Sequence, residues 1–149
     1  MSPGPLVAAF LVLCGGAMLA VQAPTNALLA RAGGSPVLAA LISFGVGTIA
    51  LFIVWILSGN RPNSGQFAAL PWYAWLGGLY GAFFVAIAAY GAPRIGLAQL
   101  ITISIAGQIA IALWLDHTGA LGLPREPINF GRLVGAMLVV AGVILVRRN

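Results

Sequence analysis

Gln22 and Asn26 lie four residues apart within an apolar run that begins near Leu6 and meets no charge before Arg31. On a helix that spacing puts both amides on one face. Pro24 stands between them, and because it has no backbone N–H it frees a carbonyl one turn back and tends to kink the axis, which makes it a candidate hinge. Later apolar runs carry further neutral polar groups: Ser43, then Thr102, Ser104 and Gln108, the last near the centre of its run. In hydrocarbon such groups are costly unless they find partners or line a wet cavity. Amides and hydroxyls both donate and accept, so the chemistry they suit is hydrogen-bonded recognition of a small neutral or zwitterionic solute. A bare cation would give up its hydration without gaining a counter-charge. The competing reading of the same groups is that they bond neighbouring helices to one another.

The titratable residues lie elsewhere. Asp116 and His117 end the fourth apolar run, and histidine as a residue type changes charge near neutral pH, so the pair is a candidate gate or proton relay; a plain interfacial role is the alternative. Arg94, following Pro93, reads as a headgroup anchor or as a gate that meets a solute anion. The acids are Asp116 and Glu126 alone, so the glutamate expected in the middle of the first helix of a proton-coupled exporter of organic cations is missing. No nucleophile–base constellation, phosphate-cradling loop or metal-ligand spacing appears, which argues against an enzyme and against a bound cofactor or metal. Cys14 is single and reads as a small buried hydrophobe.

These residues need elements that hold them within a bilayer. Of the 149 residues 61% are hydrophobic and 6% charged, against about a quarter charged in soluble domains. The net charge of +5 comes from arginines scattered singly between apolar runs, with no basic stripe, which excludes nucleic acid and points to topology and lipid headgroups. The N-terminal run has no basic residue before it and is longer than a signal core, so it reads as a mature membrane helix. A spanning helix needs about 20 apolar residues, and cutting at charges, prolines and glycines predicts five of them in a single all-α transmembrane domain over residues 1–149: about 6–29, 36–57, 71–90, 97–115 and 130–146. Small residues recur every fourth position (Ala39, Ser43, Gly47; Gly78, Ala82, Ala86; Ala98, Thr102, Ala106, Ala110; Gly131, Gly135), which lets helix backbones approach closely. Trp72, Tyr73 and Trp75 predict an interfacial aromatic belt.

With five crossings, Arg61, Arg125 and Arg132 fall on the side of the N-terminus and Arg31, Arg94, Arg147 and Arg148 on the other. Positive-inside orientation is set by an excess of Lys and Arg in cytoplasmic loops. Three against four gives almost no instruction. The chain is expected to insert both ways and to pair into an antiparallel ten-helix homodimer, reaching without duplication the inverted symmetry of many transporters. In that dimer the first and fourth helices are expected to line a shared polar cavity.

Several stretches then carry a likeness in order and spacing: Gln22-Ala23-Pro24-Thr25-Asn26, Ser43-Phe44-Gly45-Val46-Gly47, Trp75-Leu76-Gly77-Gly78-Leu79-Tyr80-Gly81-Ala82-Phe83-Phe84, Ala92-Pro93-Arg94-Ile95-Gly96, Gly107-Gln108, Leu115-Asp116-His117 and Gly135-Ala136-Met137-Leu138-Val139-Val140-Ala141-Gly142-Val143. From about Gly15 to Arg148 the chain resembles the YdcZ family of five-helix bacterial inner-membrane proteins in the drug/metabolite transporter superfamily. The resemblance implies a half-size transporter of the bacterial inner membrane, with relatives that occur as dual-topology homodimers, oppositely oriented pairs or fused ten-helix chains. It carries no substrate. The expectation is therefore alternating-access transport of a small solute, the alternative being a non-transporting membrane subunit or lipid-contacting assembly protein.

Overall fold

The computed structural model describes residues 3–59, 65, 67 and 69–148. The polar stretch of sequence at 60–64, with Arg61 of the charge ledger, lies outside them. Among the described residues the structure is helical without strands: α1 (Pro3–Gly33), α2 (Pro36–Leu57), a 3-10 turn (Trp72–Leu76), α3 (Gly77–Ile95), α4 (Leu97–Thr118), a second 3-10 turn (Ala120–Gly122) and α5 (Phe130–Arg148). Four stretches are long and apolar enough to cross a membrane, namely Gly4–Gly33, Pro36–Leu57, Trp72–Ile95 and Leu97–Thr118, and Phe130–Val146 is a shorter apolar helix. The surface is inverted relative to a soluble protein. Leucines, isoleucines, valines and aromatics are exposed along every helix, while the buried residues are mostly alanines, as expected where lipid solvates large side chains and small ones bring backbones together.

The chain forms two compact units, Met1–Arg94 and Ile95–Asn149. In the first, α1 runs without interruption through Pro24 and continues past Arg31 to Gly33. Gly34, at φ +70, reverses the chain. Ser35 then caps α2, its Oγ accepting the Leu38 N–H at 3.2 Å, and Pro36 at the first helical position has no N–H to leave unpaired. Removing that cap with Ser35→Ala is expected to cost about 1 kcal/mol, read as a lower melting temperature in detergent. α1 packs along α2, and Ala23, Ala27, Ala39 and Ala40 are buried. The row Ala39, Ser43, Gly47 lies on this inner side of α2, with Ala39 wholly buried and the other two half-buried.

On α3 the inner face is offset from the Gly78, Ala82, Ala86 row. Val85, Ala88 and Ala89 are buried and Gly78 is exposed. Gly81 belongs to that inner face, because a Cβ there would stand 3.2 Å from Cζ of Phe44 on α2. The helix continues through Pro93 to Ile95 and stops at Gly96, whose φ of +82 a side chain would resist.

In the second unit α4 ends on Gly119, left-handed at φ +66, whose N–H is given to the Leu115 carbonyl at 2.8 Å. Asn129 caps α5, its Oδ1 accepting the Arg132 N–H at 2.9 Å. α5 packs along α4, with Arg132, Ala136, Val139 and Val143 half-buried while Gly131 and Gly135 are exposed.

Candidate functional site

The amides of α1 sit where its helix is locally altered. Pro24 cannot donate, so the Ala20 carbonyl has no partner four residues on. The Thr25 hydroxyl donates to the Gln22 carbonyl at 2.8 Å and lies 3.2 Å from that of Val21. Thr25 is thus spent on its own helix, and Gln22 and Asn26 are left with side chains that form no hydrogen bond among the described residues. Gln22 is half-buried. Asn26 is 3% exposed and is the one buried polar residue among those described. At 1.5 Å per residue, Asn26 lies about 10 Å and Gln22 about 16 Å from the end of α1 at Gly33. With Gly33 at the edge of a hydrocarbon layer about 30 Å thick, Gln22 would stand near its middle.

Within the second unit, Thr102 donates to the Ala98 carbonyl at 2.5 Å and Ser104 to that of Ile101 at 2.8 Å. Their hydroxyl protons are taken up by α4, and their lone pairs remain as acceptors. Gln108 stands midway along α4, eleven residues from Leu97 and ten from Thr118, exposed and without a hydrogen bond among the described residues.

Arg94 folds back on its own helix. Its Nη1 donates to the Tyr90 carbonyl at 2.5 Å and its Cζ stands 3.5 Å from the Tyr90 ring centroid, so the carbonyl and the ring face together hold the guanidinium. Asp116 and His117 belong to a clasp between α4, the 119–129 connection and α5. Arg132 bridges both acids: Nη1 reaches Asp116 Oδ2 at 3.3 Å, and Nη2 pairs with Glu126 Oε2. The Glu126 N–H donates to the Asp116 carbonyl at 2.7 Å, and the Arg125 Nε to the His117 carbonyl at 3.1 Å. His117 Nδ1 accepts the Ile128 N–H at 3.2 Å, which places an acceptor, not a proton, on that nitrogen. These bonds pin a connection in which Leu121 is held at φ +59, a conformation that costs a leucine about 1 kcal/mol or more.

The sequence reading missed this clasp, having counted Arg132 only as a topological charge and given Glu126 no partner. The gathering of the chain's two acids, Asp116 and Glu126, with Arg125 and Arg132 in one stretch of sequence was the available signal. Arg132→Ala leaves both carboxylates unpaired and is expected to lower stability by about 1 kcal/mol, since the pairs are partly solvated. A thermal melt of the purified protein in detergent reads this directly.

Apolar helices with their large side chains outward, small residues within and neutral polar groups at depth define a multi-pass membrane protein. The family model described as "Putative inner membrane exporter, YdcZ" matches residues 7–145. The chain is also 32% identical over 146 residues to the inner membrane protein YdcZ of Escherichia coli (strain K12), covering 97% of this chain and 96% of that one. The chain belongs to the YdcZ family, and it is a multi-pass protein of the bacterial inner membrane. The family is described as one of inner membrane exporters and not of enzymes. No solved structure matches.

Proposed function

We propose that the protein is a half-size transporter that moves a small neutral or zwitterionic solute across the inner membrane by alternating access, as an antiparallel homodimer. The observation that carries this reading is the presence, in a chain of an exporter family, of amides at mid-depth whose side chains are not used by their own units, Gln22 in the first and Gln108 in the second. Helix packing alone would be expected to use these groups, because an amide left unpaired in hydrocarbon costs several kcal/mol. A transporter instead leaves them to water and solute in turn. Asn26, Ser43, Thr102 and Ser104 supply further donors and acceptors.

The class of solute follows from charge. Nothing between Met1 and Leu115 is acidic, so a cation would find no counter-charge in the spans of the first unit. The two acids that exist are engaged by Arg132. Pro24 gives α1 a turn with one hydrogen bond fewer, a place where its halves can tilt as access alternates. Arg94 and the Asp116–His117 pair stand at helix ends, as gates would, and each is held by a local partner.

The test is flux in proteoliposomes. Purified protein is reconstituted and exchange of radiolabelled amino acids, amides, polyols and quaternary ammonium ions is followed in parallel. Saturable movement of an uncharged or zwitterionic compound is expected. Movement confined to the quaternary ammonium ions would overturn the solute class, and no movement of any compound would return the amides to helix packing.

A further inference from the structure

We infer that the Asn26 carboxamide is the selectivity element of the first unit, taking an uncharged solute by a paired donor and acceptor edge such as that of a primary amide, a urea or a lactam. This rests on the transporter reading above and adds to it a recognising group and a chemical class.

Asn26 shares its face of α1 with Ala23 and Ala27, all three at most 6% exposed. Across the hairpin, Ala39 and Ala40 are equally buried on α2. Asn26 precedes Gly34 by eight residues and Ser43 follows Ser35 by eight, so in two antiparallel helices joined at that turn both groups reach the same depth. The buried residues of the hairpin beside it are thus alanines, with one half-buried hydroxyl at its depth. No fully buried side-chain nitrogen or oxygen among the described residues lacks a hydrogen bond. Asn26 has none, so the little exposure it retains falls on its amide atoms. The carboxamide therefore keeps a slight contact with the surface and is not fully sealed in packing.

A planar carboxamide presents one acceptor and two donor hydrogens, and its full complement is a group with both on adjacent atoms. Thr25 cannot supply it, being turned onto the Val21 and Gln22 carbonyls. An ion is disfavoured twice over. It would lose hydration among apolar side chains, and no acidic residue precedes Asp116, while Arg31 is exposed at the end of α1 and Arg94 is held by Tyr90.

The test uses thiol reagents, which need no knowledge of the native solute. In a Cys14→Ala background, Asn26→Cys, Gln22→Cys, Gln108→Cys and the packed control Ala40→Cys are reconstituted and treated with hydroxyethyl, trimethylammonium-ethyl and sulfonatoethyl methanethiosulfonates. The uncharged reagent is expected to modify Asn26→Cys about tenfold or more faster than Ala40→Cys, and faster by a similar factor than either ionic reagent. Excess acetamide is expected to slow modification of Ser43→Cys, which keeps the Asn26 carboxamide, and to lose that effect when Asn26→Leu is added. Ser43→Cys, at the same depth, reads the same space if Asn26→Cys does not accumulate. Reaction at Gln22→Cys and Gln108→Cys with none at Asn26→Cys or Ser43→Cys would overturn this inference and leave the transporter reading standing. Silence at all four positions would overturn both, and equal rates for ionic and uncharged reagents, or no protection by acetamide, would overturn the solute class.

Discussion

Replacing Gln108 by leucine is expected to cut solute flux by about tenfold to a hundredfold while leaving the protein inserted and α4 intact, and Gln22→Leu is expected to do the same. In the proposed transporter each substitution would remove one hydrogen bond to a solute held away from water, and a buried partner left without its bond costs about 1–3 kcal/mol. The scaffold should not register the change. Leucine is favourable at mid-membrane, and neither glutamine makes a hydrogen bond among the described residues that would have to be given up. Flux in proteoliposomes and the melting temperature in detergent therefore separate the two roles. A loss of flux with an unchanged melt supports solute contact. A loss of assembly, or flux equal to the parent, would make these amides packing elements or bystanders.

Thr102 and Ser104 provide the contrast. Their hydroxyls donate to α4 carbonyls, so Thr102→Val and Ser104→Ala are expected to change flux by less than about threefold, since only an acceptor lone pair is lost to the solute. A larger effect than at the glutamines would invert the assignment.

The helices that sequence located well are those with local punctuation. Ser35 and Pro36 fix the start of α2 by capping chemistry, and Asn129 does the same for α5. Where the expected end differed from the observed one, the residue taken as a breaker is absorbed. Arg31 simply lies in the last turn of α1. Pro93 costs α3 one backbone donor, while Arg94 turns back to bond the Tyr90 carbonyl. Small-residue rows were legible as packing material but not as faces. On α3 the inner face turns to Gly81, Val85 and Ala88 because the Phe44 ring needs the space that a glycine leaves, and which glycine serves depends on a residue of another helix. The clasp was illegible for a similar reason. Arg132 and Asp116 are 16 residues apart, beyond any periodicity, and only the course of the 119–129 connection brings them together. For the candidate site, spacing showed that Gln22 and Asn26 share a face, whereas the near-complete burial of Asn26 depends on packing that one helix cannot reveal.

Orientation offers the other large effect. A reporter fused to the C-terminus is expected to be found on both sides of the inner membrane, because the arginines divide three against four over five crossings and so small a difference is a weak topological instruction. The fifth crossing is geometrically available, since the 19 residues of α5 extend about 28 Å in a layer about 30 Å thick. Arg132, one of the three on the N-terminal side, is bridged to both acids. Arg132→Gln removes one positive charge from that side and is expected to tilt the population toward placing it outside, without abolishing the mixture. Adding about two or three lysines after α5 should put the C-terminus inside in nearly every copy, and adding them before α1 should do the reverse. Each locked variant alone is then expected to lose transport, because an antiparallel pair requires both orientations, and co-expression of the two should restore it. Exclusive labelling of one side in the unmodified protein would end the dual-topology reading. Full activity from either locked variant by itself would show that the working unit is not the antiparallel pair.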